Sequence, residues 1–587
     1  MHPLGSADYL VIAFYLGFLV VIGLVFRRFN RDISDYFRGG GKMLWWMSGA
    51  SATMSAISAW SFTGAAGSVY ETGTLVAAIY WSNAANLALV LFFSSARFRR
   101  MRVVTYAEAV RRRYGGATEQ FYVWVQLPVS LVKSGIELSA LGVFMTAVFH
   151  TELLPTVIVL GSVVVFVAML GGAWAVVAGD FLQSLLMLLV MGLAGWFALR
   201  LPEIGGVSGL LAKVSADHWD WGRRLRGEIV VLWCVASFIN SFFNFNNMAE
   251  GAARFLTVKD EAHARKAALA MIACFLAIPV LLLLPALAAT IVFPDLHAAF
   301  PALRNPHEAA FVAVCLRTMP AGVVGLLVAG IFSVAMASMD TGLNRNSGLL
   351  IRNFYQRFLR PLAPERELLF ASKACTLGLG CAIVGLASSV ALYSQLDLFN
   401  LVLTFGSLVS LPLMIPTVFG LFVRSAPDWA GWSTPLVGLA AGWTLRFALG
   451  LPRLASWLGW NNLTILEADS FGYGATVIAV VIVCGAWYAA SVWLARHASE
   501  PDHVRAFFSD LRRPISPADE GGALDDLRQY RTMGRLSLAY GAGIALFAAL
   551  PGEPAGRTAF LFCGGMIAAI GGVLRWTGNR RREESTA

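Results

Sequence analysis

Charge is scarce in this chain. Only 14% of its 587 residues are Asp, Glu, Lys or Arg, against 57% hydrophobic, and a soluble protein of that length cannot hide so much apolar surface. The seven cysteines (Cys234, Cys274, Cys315, Cys375, Cys381, Cys484 and Cys563) all fall in apolar runs and form no CxxC pair. They read as small core side chains rather than disulfides or metal ligands. The eight histidines form no HExxH pair. Gly39-Gly40-Gly41-Lys42 is not a phosphate-binding loop, because Met43 replaces the Ser/Thr after the lysine and Tyr36 stands where the first glycine belongs. Without an ATPase signature, any transport driven by this chain must draw on a gradient. Segments of about ten residues with alternating polarity are also missing, which excludes a transmembrane β-barrel.

What the chain does have is apolar runs near the ~20 residues a helical span needs. We read about fifteen of them, near 8–26, 46–69, 73–96, 121–149, 153–172, 176–201, 228–253, 265–293, 320–344, 368–392, 397–423, 434–451, 471–495, 534–551 and 557–576. The fold class is therefore an all-α polytopic membrane protein. The first run lacks a basic lead-in and is followed at once by Arg27 and Arg28, so it is not a cleaved signal. Basic residues gather in 27–42, 97–113, 254–266 and 351–366 and again at Arg580–Arg582. These segments alternate consistently if all face the cytoplasm, which puts the N-terminus outside. The same placement explains the net charge of +10 without invoking nucleic acid. Residues 496–533 read as a cytoplasmic connector with a short helix around Val504–Leu511.

Several spans carry more than anchoring requires. Asp180 lies in an apolar stretch reaching Leu199, and a carboxylate at membrane depth costs about 3 kcal/mol or more unless a cation or proton neutralises it. The span from Trp46 to Gly67 is dense in Ser, Thr, Ala and Gly. Such a helix either packs closely or unwinds to expose carbonyls as cation ligands. Asn240, Asn244, Asn247 and Glu250 follow the rhythm of one helix face and must meet a cavity or other polar groups, with Glu250 four residues from Arg254. Ser338, Asp340 and Thr341 are oxygen donors suited to a hard cation. Lys133 and Glu137, at i and i+4, either neutralise each other or line a cavity.

Together, these residues and a series of ordered local matches resemble the sodium:solute symporters over roughly residues 5–500. Asp35-Tyr36-Phe37 with Gly39-Gly40 and Trp45-Trp46 is similar to the family's opening motif. Ile57-Ser58-Ala59 with Phe62, Gly64, Gly67, Tyr70 and Gly73 is similar to its first core helix. Thr105-Tyr106-Ala107-Glu108 with Arg113-Tyr114-Gly115, and then Gly171-Gly172, Asp180 and Gln183, continue the pattern.

The resemblance implies a LeuT-type core of two inverted five-helix repeats, 46–201 and 228–423. Around it would lie an N-terminal helix and basic loop (1–45), two added helices (434–495), the loop 496–533 and a C-terminal helix pair with a basic tail (534–587). Ion and solute sites would lie where the first helix of each repeat breaks. The family's main sodium site maps to the carbonyls of Met54, Ile57 and Val334 and the hydroxyl of Ser338. Ala337 lacks the first hydroxyl of the family's pair, and a shifted alignment would use Ser333 instead. A further sodium site of some members maps to Asp180, Asp340 and Thr341, where two carboxylates close together would share a sodium ion or a proton. The sugar carriers' polar pair maps to Ser61 and Tyr80, neither an amide nor a carboxylate, which disfavours a hexose. Candidate solute contacts are Ser58, Ser61, Tyr80, Lys133, Asn244, Asn247, Glu250 and Ser407.

The expected function is inward symport of a small polar or anionic solute, driven by sodium and without an organic cofactor. The protein would be a monomer or weak oligomer in the plasma (inner) membrane. The departure at Ala337 keeps a proton-coupled or uncoupled carrier open. A solute sensor signalling through 496–533 is a further alternative. No nucleophile, base or metal cluster suggests an enzyme.

Overall fold

Apolar runs interrupted by small and charged residues become a bundle of helices in a computed structural model. It describes residues 4–26, 41–170, 173–253, 255–301, 303–393, 398–515 and 523–586. The motif residues Asp35, Tyr36, Phe37, Gly39, Gly40, Gly171 and Gly172, and Arg254, lie outside the described residues. In chain order the main helices are α1 (Ser6–Phe26), α2 (Trp45–Ala56), α3 (Gly64–Thr72), α4 (Thr74–Arg100), α5 (Tyr106–Phe149), α6 (Leu153–Leu170), α7 (Ala173–Leu199), α8 (Gly227–Asn246) and α9 (Glu261–Val292). They continue with α10 (Val323–Leu359), α11 (Glu365–Tyr393), α12 (Leu398–Phe419), α13 (Ala430–Trp457), α14 (Ile465–Leu494), α15 (Asp502–Arg512), α16 (Ala523–Leu546) and α17 (Pro554–Thr586). Among the described residues no strand forms.

Twelve of these helices are long and apolar enough to cross a membrane. The other three expected spans are helical but differ in kind. The second is broken into α2 and α3, α6 is short, and the first turns of α16 carry Asp526, Arg528, Arg531 and Arg535. Helix α5 is broken at Gly115 (φ 78°, ψ 179°), which sets a short arginine-bearing segment before the long apolar one. Its arginine-rich start therefore escaped a purely apolar reading.

The expected single helix face through residue 250 does not form. Helix α8 ends at Asn246, and Asn247 is extended (φ −81°, ψ 150°). The Asn247 amide donates to the carbonyls of Phe243 and Asn244, and its side-chain oxygen accepts from the backbone N–H groups of Ala249 and Gly251. An asparagine that can satisfy both sides of a chain reversal ends a helix rather than extending it.

The C-terminal helices brace the base of α2. Gln529 donates to the Lys42 carbonyl at 2.9 Å and accepts from the Leu44 N–H at 3.2 Å, Asp526 meets Lys259 at 2.8 Å, and Tyr540 stacks on Phe18 of α1 at 4.5 Å. Glycines let α16 and α17 approach this closely: a Cβ on Gly541 would lie 2.5 Å from both the Ala568 nitrogen and the Gly564 carbonyl. Gly541→Leu is therefore expected to lower the unfolding temperature in detergent, by the about 1–3 kcal/mol of an overpacked contact. Gly565→Leu, whose Cβ direction meets nothing within 4 Å, should leave it unchanged. Equal shifts in differential scanning fluorimetry would refute the packing argument.

Candidate functional site

The serine-rich segment supplies the first half of the site by failing to stay helical. After Ala56 the backbone extends at Ile57 (φ −102°, ψ 131°) and Ser58 (φ −123°, ψ 176°), turns through Ala59–Ser61, and resumes as α3 at Gly64. Carbonyls at the end of α2 lose their helical partners there and become available to a side chain or an ion. Ser338 of α10 approaches them, with its hydroxyl 3.4 Å from the carbonyl oxygens of both Ser55 and Ile57. Thr341, one turn on, meets the Ser55 hydroxyl at 3.2 Å. Met54 and Val334 are fully buried on the same two helices. Ser333, the alternative anchor, instead bonds the Ala329 carbonyl of its own helix.

Beside the break lies a cavity of about 220 Å³. Ser58, Asn83, Lys133, Glu137, Asn240 and Asn244 form much of its polar wall. Ser241 donates to Asn83 at 2.7 Å, which ties α8 to α4. One mouth is capped by Trp60, which stacks on Phe399 at 5.7 Å and donates to the Leu398 carbonyl at 3.1 Å. Toward the basic loops a second cavity of about 110 Å³ shares Ser55, Lys133, Glu137 and Asn244 with the first and adds Glu250, Ser338, Thr341 and Arg345.

A charge cluster stands in that second cavity. Glu250 receives Arg345 at 3.1 Å, Gln126 at 3.0 Å and Lys133 at 3.5 Å. Lys133 thus reaches across to Glu250, and the expected Lys133–Glu137 neutralisation within one helix is not its ion pair. Asp180 and Asp340 sit elsewhere. They line a cavity of about 30 Å³ with Gln183 and residues of α1, apart from the larger cavities. The Asp180 carboxylate accepts a short hydrogen bond from Ser51 of α2, and one carboxylate oxygen of Asp340 is buried with no hydrogen-bond partner. A buried oxygen left open is what a hard cation or a proton would satisfy. Thr341, one residue further round α10, meets the Ser55 hydroxyl.

Other expected contacts do not reach the large cavity. Tyr80 donates to Ser61 at 2.9 Å and both are buried, so the mapped sugar pair is closed on itself. Ser407 returns its hydroxyl to the carbonyls of Leu403 and Thr404. Asn247 is used as the helix end described above. Ser58, Lys133 and Asn244 do line the cavity, and Glu250 lines its extension.

A comparison with protein families finds the sodium:solute symporter family over residues 36–430. The chain belongs to the sodium:solute symporter family. It is a multi-pass membrane symporter coupled to sodium, not an enzyme. Among relatives, this symporter is 25% identical over 484 residues to sodium/myo-inositol cotransporter 2 of Rattus norvegicus, covering 74% of the chain and 69% of that protein. It is 23% identical over 484 residues to the sodium/glucose cotransporter of Vibrio parahaemolyticus, covering 77% and 86%. A solved Na+-coupled sialic acid symporter in a substrate-bound outward-open state shares its fold, with a TM-score of 0.64 and 18% identity over 82% of this chain and 98% of that one. The symporter's Asn83, Tyr473 and Arg345 line the cavities without having been singled out in the sequence. Arg345 had a usable signal, because it shares a helix face with Ser338 and Thr341. Asn83 and Tyr473 had none.

Proposed function

We propose that this symporter carries a small polar or anionic solute into the cell together with sodium, as a plasma-membrane carrier. The observation that carries the reading is the Ser338 hydroxyl held 3.4 Å from the carbonyls of Ser55 and Ile57, directly beside the polar cavity. In this reading Met54, Ile57, Val334 and Ser338 hold one sodium ion, and Asp180 with Asp340 forms a second cation site. Relatives are named for glucose and myo-inositol. Here the sugar-pair positions are tied to each other, which disfavours a hexose, and Lys133 in the cavity wall supports an acidic solute. In the same reading the break opens the first of two repeats, 46–201 and 228–423, in a chain that crosses fifteen times from an external N-terminus. Rocking of the two halves about the cavity would move solute and ion together.

Thermal stabilisation of the purified protein across a solute panel, in sodium and in potassium, tests this. A hit that needs sodium is expected, followed by uptake into proteoliposomes under an inward sodium gradient. Stabilisation indifferent to sodium, or uptake that follows a pH gradient alone, would overturn it. Ser338→Ala is expected to raise the sodium concentration for half-maximal uptake by about tenfold, the equivalent of about 1.4 kcal/mol for one lost oxygen ligand. An unchanged sodium curve would remove Ser338 from the site.

A further inference from the structure

The geometry points to Arg345 and Glu250 as the residues that select the charge of the solute: Glu250 is a tethered stand-in for a carboxylate on the solute, which displaces it from Arg345 and Lys133 on the way through. This rests on the large cavity being the solute's binding place, and it narrows the solute to a carboxylic acid.

Three observations carry it. The first is location. The cluster lies in the cavity of about 110 Å³ that adjoins the large one, and beyond it a third cavity of about 70 Å³, lined by Val104, Thr105 and again Arg345, leads toward the basic loop before α5. Arg345 borders both the second and the third cavity, so a solute moving that way passes the cluster. The second is unused capacity. Arg345 spends one terminal nitrogen on Glu250 and Ser130, while its Nε is buried without a hydrogen-bond partner. The Lys133 contact is loose at 3.5 Å, and the Lys133 side chain is 47% exposed. A guanidinium offers a planar fork suited to two carboxylate oxygens, and the unpartnered Nε here is enclosed until the cluster opens.

The third is charge balance. Lys133 and Arg345 are offset by Glu137 and Glu250, so the cluster is neutral as it stands. Ser338 and Thr341 line the same cavity. A sodium ion arriving with a neutral solute adds one positive charge to the cluster. A sodium ion arriving with a carboxylate restores neutrality, and the carboxylate can replace Glu250 on the two cations one for one. The displaced Glu250 carboxylate is then the unpaired charge, and the sodium ion arriving with the solute offsets it. Coupling between ion and solute follows from this exchange.

The test uses matched probes that differ only at the acid: lactate with lactamide, nicotinate with nicotinamide, and glucuronate with glucuronamide. Thermal shifts of the full-length purified protein are measured in sodium and in potassium. The wild type is expected to be stabilised by an acid in sodium and not by its amide. Glu250→Gln, which removes the internal competitor, should lower the concentration of that acid needed for half-maximal shift by on the order of tenfold, and Arg345→Gln should raise it by as much. Because a single neutralisation leaves a charge uncompensated, the double variant Glu250→Gln/Arg345→Gln, balanced again by Lys133 and Glu137, is run beside them. It should fold and no longer distinguish acid from amide. A sodium-dependent shift by a neutral probe, equal effects of Arg345→Gln on acid and amide, or no acid in the set giving a shift overturns the exchange and leaves the symport reading intact. A shift of the same size in potassium overturns both.

Discussion

Asp180→Asn is expected to strip most of the sodium dependence from uptake while the protein remains folded. The substitution keeps the shape and the acceptor that Ser51 bonds but removes the charge. A cation about 4 Å from a carboxylate gains roughly 4 kcal/mol at an effective dielectric constant of about 20. At about 1.4 kcal/mol per factor of ten, the upper bound on the lost affinity is about a thousandfold. The amide oxygen of asparagine returns part of this, so a rise in half-saturating sodium of between tenfold and several hundredfold is expected, read from uptake into proteoliposomes at graded sodium. Stability should not suffer, because Asp180 and Asp340 share one small cavity and removing one like charge relieves their repulsion. Asp340→Asn should act in the same direction and less strongly, since Asp180 keeps its charge and the Ser51 contact. If both variants retain the sodium curve of the parent, the acid pair is structural and the coupling resides wholly at Ser338.

These residues divide by how much of their surroundings is local in sequence. The Asp180 carboxylate stood out alone, because its cost in an apolar run does not depend on knowing its neighbours. The break in the second span was likewise visible as a choice between close packing and unwinding. The structure resolves that choice at Ile57 and Ser58, where α2 stops and the backbone extends. Pairings across the bundle were not visible. Lys133 has Glu137 one turn away in sequence, yet its salt bridge is with Glu250, 117 residues on. Tyr80 and Ser61 read as two open contacts and are instead each other's partner. Asn247 fitted a helical stripe until its own side chain satisfied the reversal that ends the helix. Residues 496–533 read as a connector with a short helix around Val504–Leu511, and that helix forms with Val504, Phe507 and Leu511 buried. In the fold, Arg102 donates to the carbonyls of Asp510, Arg513 and Pro514, while Glu261 accepts from the Ile515 N–H. Backbone carbonyls carry no sequence signature, so a strap held by them stays hidden until the chain is folded.

The same reasoning makes Arg113→Leu the most damaging substitution expected for stability. Arg113 is fully buried near the start of α5 and donates to the carbonyls of Gly420 at 3.1 Å, Val423 at 2.8 Å and Ala426 at 3.1 Å. These carbonyls lie in the turns that follow α12, outside its helical ladder. The neighbouring Tyr114 adds a bond to the Pro416 carbonyl at 2.6 Å, so the pair clamps the end of one helix to the beginning of another. Leucine matches much of the arginine stem and packs as an apolar group, but it leaves three acceptors with nothing to accept. Each buried, unsatisfied polar group costs about 1–3 kcal/mol, so the total reaches several kcal/mol, comparable to the whole margin of a typical fold of about 5–15 kcal/mol. The variant should yield little monodisperse protein in detergent. Arg113→Lys should recover only part of the loss, because one ammonium cannot reproduce a planar fork spread over three carbonyls. Tyr114→Phe, which forfeits the hydroxyl's bonds to the Pro416 carbonyl and the Tyr488 hydroxyl, should fold and show a smaller drop in unfolding temperature. Monodispersity by size-exclusion chromatography separates the cases, and an Arg113→Leu protein as stable as its parent would mean that water, not this arginine, satisfies the end of α12.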